Sequence, residues 1–279
     1  VGRAHVTLVV FDLDGTLLNK QSAISAYTAD TLAMMRSRGI PYTVATGRTL
    51  QAAAAPLKDH HFVLPMILKN GAIIWSPEEG RYSHHHLLTP QEVWHVLAAF
   101  TVNDLTPFVF TLQANQQHAL YHGPLKSSSE QKLADLFEEE RHLPLEPLTA
   151  MPDDVSVINL FSLGSANAID RVRESIADEP HLVAYAGTAV AERDLHWLDI
   201  HHSLGSKGNG INHLRSELGV EHIIAFGDGD NDLSMFECAT ESYATANADP
   251  LLIQVADDVI GHHDEDGVAR FLRKRFDLA

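Results

Sequence analysis

The chain has 279 residues, of which 45% are hydrophobic and 20% charged, enough to bury one large core or two modest ones, so disorder, collagen and coiled coil are excluded. No apolar run reaches the ~18 residues that a membrane-spanning helix needs, and Val1 to His5 lack the pattern of a secretory signal, so a soluble, cytoplasmic protein without a membrane partner is expected. Twenty Lys and Arg against 37 Asp and Glu leave a formal charge of −17, the wrong sign for binding nucleic acid; an anionic ligand must be met by a few placed cations or a bound metal.

In chain order, a strand is expected over His5–Phe11. A helix follows over Ser25–Arg38, with Ser25 as N-cap and Gly39 as stop. Pro41–Thr46 reads as a strand, Arg48–Lys58 as a helix that fades at Pro56, and Met66–Leu68 as a third strand. Continuous apolar strands separated by helices indicate a parallel sheet covered on both faces. After Asn70-Gly71-Ala72 the pattern changes, and Ala72–Trp75 and Arg81–Leu87 flank a hairpin turn. A mixed segment comes next: helix Gln91–Phe100, strands Phe108–Leu112 and His118–Tyr121, helix Ser129–Glu140, strand Val155–Leu163, helix Ala166–Ala177 and strand Leu182–Ala186. From Leu195 the alternation resumes with strand Leu195–Ile200, helix Ser206–Leu218, strand His222–Phe226, helix Asp230–Cys238 and a last helix Asp266–Phe276. The expected fold is α/β, a parallel Rossmann-like sheet flanked by helices over residues 1–83 and 191–279, with an α+β domain inserted at 84–190.

Cys238 is the only cysteine, which removes intrachain disulfides and Cys-built metal sites; it reads as a small buried apolar residue. Eighteen His include the runs His60-His61, His84-His85-His86, His201-His202 and His262-His263. Adjacent side chains diverge on strand and helix alike, so these runs are expected on a solvated surface and not around a metal. The oligomeric state has no signature in the sequence, and a monomer is compatible with it.

Ligands of open α/β sheets bind outside the carboxyl ends of the strands. Asp12-Leu13-Asp14-Gly15-Thr16 closes the first strand. Its two acids, two residues apart, point the same way while the strand persists, which suits a nucleophile beside a general acid and base. Thr46-Gly47-Arg48 closes the second strand with a hydroxyl, a flexible glycine and an expected helix start, a combination that suits a phosphoryl group or, on this motif alone, Thr46 as N-cap of that helix. Lys207 stands where a helix begins and its charge opposes the macrodipole, and Gly208 beside it weakens the helix further. Gly227-Asp228-Gly229-Asp230-Asn231-Asp232 clusters acids that ask for a hard cation. An EF-hand loop is excluded because Leu233 and Ala239 stand where it needs Gly and Glu, which leaves Mg²⁺ at a phosphoryl site or a surface Asp-rich turn.

Taken together, DLDGT (Asp12–Thr16), ATGR (Ala45–Arg48), SKG (Ser206–Gly208) and GDGDND (Gly227–Asp232) resemble the four motifs of the haloacid-dehalogenase (HAD) superfamily phosphatases, closest to the Cof-type branch. Asn70-Gly71-Ala72, Asn247-Ala248 and Asp266-Gly267-Val268-Ala269 resemble lesser signatures of that branch, while Tyr243-Ala244-Thr245-Ala246 departs from its more usual Val-Ala-Met-Gly-like run. The resemblance implies a Mg²⁺-dependent phosphatase acting on a small phosphorylated metabolite, a sugar phosphate or phosphorylated cofactor, through an aspartyl-phosphate. It implies that Asp12 attacks phosphorus, and that Asp14 protonates the leaving oxygen and then activates water. Mg²⁺ would sit on Asp12, the Asp14 carbonyl and Asp228, with Asp232 holding a metal-bound water or orienting Lys207. Thr46 and Lys207 would grip the phosphoryl oxygens, Gly15, Gly47 and Asn231 would line the phosphate pocket, and Arg48 and Asn70 would meet the rest of the substrate. The insert would be a mobile cap that selects the substrate, with hinges near Arg81–His84 and Gly187–Val190. A phosphotransferase or phosphomutase of the same superfamily and a non-catalytic binder of phosphorylated metabolites are the alternatives; a phospho-aspartate receiver has no need of Asp14 or of the insert.

Overall fold

The computed structural model describes residues 7–140, 143–189 and 194–278; the expected strand start at His5 and the expected hinge end at Val190 lie outside them. The chain divides into two compact units, Val1–His84 with Ser206–Ala279, and His85–Gly205.

The first unit begins with β1 (Thr7–Phe11), α1 (Ala26–Ser37), β2 (Tyr42–Val44), α2 (Leu50–Leu57), β3 (Met66–Leu68), β4 (Ile73–Ser76) and β5 (Arg81–His85). The inserted unit follows as α3 (Pro90–Val102), β6 (Phe108–Leu112), β7 (His118–His122), α4 (Ser128–Asp135), β8 (Leu145–Pro147), β9 (Ser156–Gly164), α5 (Ala166–Ser175), β10 (Leu182–Thr188) and β11 (His196–His202). The first unit is completed by α6 (Lys207–Leu218), β12 (His222–Gly227), α7 (Leu233–Cys238), β13 (Glu241–Ala244), α8 (Pro250–Val255), β14 (Asp258–Val259) and α9 (Gly267–Phe276).

The expected parallel sheet is present, with strand order β14-β13-β12-β1-β2 and every pairing parallel. β1 lies inside it between β12 and β2, and Leu8, Val9, Val10 and Phe11 are all fully buried, as a strand with helices on both faces requires. Ile211 and Leu214 of α6 and Met235 and Phe236 of α7 pack with Leu8, Val10 and Ile223. A parallel bridge from Ala45 to Ile67 connects β2 to the smaller sheet β3-β4-β5.

Several boundaries differ from the sequence reading. α2 starts at Leu50, not Arg48, and its N-cap is Thr49, whose hydroxyl accepts from the Ala52 amide at 3.3 Å. Thr46 is therefore not a helix cap. Pro56 lies inside the last turn of α2, and Arg48 Nη1 donates at 2.9 Å to the Ala52 carbonyl, the acceptor that Pro56, having no N–H, leaves open. The helix expected from Asp230 begins with a short 3₁₀ turn, Asp230–Asp232, before α7. β8, β13, α8 and β14 are additions to the expected elements.

The largest correction concerns Leu195–Ile200. This strand, read as the return to the first unit, is β11, paired antiparallel with β9 and β10 in the six-stranded sheet β10-β11-β9-β6-β7-β8. It buries Leu198 and Ile200 with Val96, Phe100, Ile169 and Val172 of α3 and α5. Gly187 lies within β10, where a Cβ would come 2.7 Å from the Trp197 ring, and the chain returns to the first unit at Ser206. Among the described residues no helix is long and apolar enough to cross a membrane.

Candidate active site

Three neighbouring strands of the parallel sheet end side by side: β1 at Asp12, β2 at Ala45-Thr46 and β12 at Asp228, with Phe11 registered on Phe226 and on Val44. The Asp12 amide still donates to the Phe226 carbonyl, at 2.9 Å, so the sheet fixes the backbone from which this carboxylate projects. The chain then makes a wide turn, with the Leu17 and Leu18 amides donating to the Asp12 and Leu13 carbonyls at 3.3 and 2.9 Å. Gly15 makes that turn possible with φ of 77°, and a Cβ there would lie 2.1 Å from Asp228 Oδ2. Both the backbone and the space call for glycine.

Lys207 opens α6 behind its N-cap Ser206. Its side chain is fully buried, and Nζ donates to Asp12 Oδ1 and Asp232 Oδ1, each at 2.6 Å. Two charge-assisted bonds offset the unfavourable macrodipole at this position. Gly208 lets the helix come this close: a Cβ would fall 2.2 Å from the Ser234 carbonyl oxygen, and its amide donates to Ser234 Oγ at 3.1 Å. The other carboxylate oxygen of Asp232 accepts from the Asp228 and Gly229 amides at 2.9 and 3.0 Å. Asp228 in turn accepts from Thr16 Oγ1 at 3.2 Å.

One ammonium thus faces three carboxylates. Oxygens of Asp12, Asp228 and Asp232 lie within 4.8 Å of one another. Burial, reinforced by repulsion from Asp232 and Asp228, holds Asp12 well above the usual carboxylate range in spite of Lys207. Burial and Asp232 push Asp228 up to about 6. Burial alone would lower Lys207, but Asp12 and Asp232 outweigh it and raise the ammonium above its ordinary value. A surplus of buried carboxylate over positive charge is what a hard divalent cation relieves, so this donor set fits a metal ion. Both oxygens of Asp232 are already engaged, which leaves Asp12 and Asp228 as the side chains suited to hold it.

A second group consists of Thr46, Gly47, Asn70 and Asn231. Thr46 is buried, and its hydroxyl accepts from the Arg48 amide at 3.2 Å. Asn231 Nδ2 donates to Asn70 Oδ1 at 2.9 Å, and a Cβ on Gly47 would lie 3.1 Å from that oxygen. Arg48 forks onto Asp14, with Nε at 2.7 Å from Oδ2 and Nη2 on Oδ1. Asp14 is the exposed acid of the set, its side chain 58% accessible. Arg48, read from the sequence as a substrate contact, is thus paired with Asp14 in this structure.

Four supporting residues had no assigned role in the sequence reading. Thr16 and Ser234 act as above, while Asn247 Nδ2 and Thr245 Oγ1 donate to the Gly15 carbonyl at 2.8 and 3.2 Å. The Thr inside DLDGT and the Asn of Asn247-Ala248 carried a signal for two of them. Ser234 carried none, and Thr245 falls in the segment that departs from the usual run.

A sequence profile of the haloacid dehalogenase-like hydrolases matches residues 9–272. The chain belongs to this family. Its motifs are therefore those of a HAD hydrolase, as their resemblance implied. Over 282 residues the hydrolase is 27% identical to a 5-amino-6-(5-phospho-D-ribitylamino)uracil phosphatase of Bacillus subtilis, covering 97% of this chain and 98% of that protein. It is 25% identical to a putative phosphatase of the same organism, covering 96% and 97%. Its fold is similar to that of a phosphatase of the haloalkanoate superfamily from Bacteroides thetaiotaomicron, with TM-score 0.80, 21% identity and coverage of 100% and 98%. A subclass IIB sugar phosphatase of known structure gives TM-score 0.78 at 22% identity, covering 98% and 100%.

Proposed function

We propose that this hydrolase is a divalent-cation-dependent phosphatase that releases inorganic phosphate from a small phosphorylated metabolite through an aspartyl-phosphate on Asp12. The observation that carries the reading is the buried Asp12–Lys207–Asp232 cluster with Asp228 beside it, built where neighbouring parallel strands end. Mg²⁺ held by Asp12, Asp228 and the Asp14 carbonyl would neutralise phosphoryl charge and orient the group for in-line attack.

The chain's own residues do the rest. A carboxylate oxygen of Asp12 forms a bond to phosphorus as the ester P–O bond breaks, and Asp14 gives its proton to the departing alkoxide. Asp14, now a base, takes a proton from water; the water attacks phosphorus, the bond to Asp12 breaks, and phosphate leaves. Lys207, fixed by Asp232, keeps Asp12 aimed and offsets the charge of the phosphoryl oxygens, while Thr46 and Asn231 offer neutral donors to them. Arg48 orients the exposed Asp14. The inserted unit is the cap that selects the leaving group, since the chemistry above needs nothing beyond a phosphoryl group. The relative that acts on a phosphorylated ribityl compound favours a sugar phosphate or a phosphorylated cofactor as substrate.

The test is phosphate release from a panel of phosphorylated sugars, cofactors and nucleotides with purified protein and Mg²⁺. Release from at least one class, abolished by a chelator, supports the reading. Well-folded protein that binds phosphate esters without turnover would make it a binder, and transfer to an added sugar in place of water would make it a phosphotransferase.

A further inference from the structure

The histidine runs of the inserted unit take no part in the chemistry above, and they are not all solvated: His201 is fully buried and His202 half-buried. His202 ends β11 shortly before Gly205, where the inserted unit ends, and His86 stands just after its start at His85. Their rings stack, with centroids 5.6 Å apart and planes 22° from parallel. His181, just ahead of β10, stacks on the same His202 ring at 5.4 Å and 23°. The entry and exit segments of the inserted unit are thus joined through the His86 and His202 rings, and His181 ties the segment before β10 to the same pair.

His202 also holds the turn that follows it. Its Nδ1 accepts from the Leu204 amide at 3.1 Å and its carbonyl from the Gly205 amide at 2.8 Å. Ser203 is tied to the His181 segment, its amide donating to the His181 carbonyl at 2.8 Å and its hydroxyl to the Pro180 carbonyl at 3.0 Å. An imidazole that accepts at Nδ1 carries its proton on Nε2, so a second proton must enter at Nδ1, where the Leu204 N–H already points. The charged ring would then face two other imidazoles.

We propose that the His86–His202–His181 stack is a proton-operated latch on the Ser203–Gly205 linker, closed when His202 is neutral and opened in mildly acidic solution by loss of the Leu204 hydrogen bond. Among the described residues, the ionisable groups that face His202 are His86 from the segment after β5, His181 from the loop before β10 and Glu92 from α3. Burial and His181 hold His202 below its ordinary value, and Glu92 opposes them. The closed latch therefore binds fewer protons than the open chain. Its stabilising contribution is complete above the ordinary histidine value of 6.5 and is lost as pH falls through the lower value of the stacked ring. The linker leads directly into Ser206, the N-cap of the helix that bears Lys207. The inference is independent of the proposed phosphatase activity.

Nuclear magnetic resonance on the full chain tests it, following the His202 imidazole and the exchange protection of the Leu204 amide from about pH 8 to about pH 5. Protection of Leu204 should fall by up to about tenfold per pH unit between 6.5 and the His202 midpoint and level off below it. Glu92→Gln, which keeps the acceptor of the Thr89 capping box, should move that midpoint down. His181→Phe, which keeps an aromatic face, should move it up. His202→Asn, with an acceptor but no titration, should make Leu204 protection independent of pH. Protection that stays constant in the unmodified chain overturns the latch without recourse to any variant, and so does a midpoint that neither Glu92→Gln nor His181→Phe displaces.

Discussion

Asp12 carries the heaviest demand of any side chain in the site, because in the proposed reaction a buried carboxylate is also the nucleophile. Burial beside Asp228 and Asp232 raises its proton affinity, and Lys207 returns part of that cost. Asp12→Asn removes one of three mutually repelling acids while Asn Oδ1 still accepts from Lys207. Phosphate release should become undetectable, and the melting temperature should stay at or above that of the unmodified protein; measurable turnover after exclusion of deamidation would remove Asp12 as the nucleophile. Lys207→Met is the converse case. It leaves Asp12 and Asp232 buried without a countercharge, so urea unfolding at neutral pH should show a loss of about 3 kcal/mol or more, together with loss of turnover. A fully stable but inactive Lys207→Met protein would mean that the ammonium serves the reaction alone.

Besides its ladder with β12 and β14, β13 is tied to its neighbours through the Glu241 carboxylate. Glu241 accepts from His222 of β12 at 2.6 Å, from Arg275 of α9 at 2.9 Å and from the Tyr243 hydroxyl. These bonds, that from Arg275 first, lower its pKa to about 2 from 4.5. The stability it contributes is present above pH 4.5 and is lost as pH falls through about 2. The group is partly exposed, so Glu241→Gln should cost only about 1 kcal/mol at neutral pH. Urea titrations at neutral pH and near pH 2 should show that difference shrinking in acid; an equal difference at both would mean that packing, not charge, is lost. The sequence showed β1, β2 and β12 because a strand with helices on both faces must be apolar throughout, and it showed α6 because Ser206 caps it. It could not show where β11 pairs. His196–His202 is a half-buried strand whose alternation suits either sheet, and its partners in β9 and β10 are set by the whole insert. The start of α2 was misplaced because Thr46 and Thr49 offer the same hydroxyl, and only the backbone path decides which one caps. In the site, the carboxylates, Lys207 and Thr46 were legible from motif and position. The Arg48–Asp14 fork and the hold of Thr245 and Asn247 on the Gly15 carbonyl join residues far apart in sequence, and no local pattern announces them.

A chain with a formal charge of −17 can bind a phosphorylated anion only if it concentrates positive charge at one place. The buried cluster supplies Lys207 and a set of oxygens suited to a divalent cation. Chelation should therefore abolish phosphate release and Mg²⁺ restore it. Ca²⁺, which takes more oxygen ligands at longer distances, should bind and inhibit; undiminished release in excess chelator would contradict the metal requirement. The claim on which the rest depends is that a phosphoryl group passes through Asp12. Asp14→Asn should slow hydrolysis of the intermediate, so this variant can be mixed with a turnover-competent phosphate ester and Mg²⁺, quenched, reduced with borohydride and digested for mass spectrometry. An aspartyl-phosphate is reduced to homoserine, and the account predicts homoserine at position 12 and at no other acid. Unmodified Asp12, under conditions in which the unmutated enzyme releases phosphate and trapping succeeds on a control acyl phosphate, would contradict it.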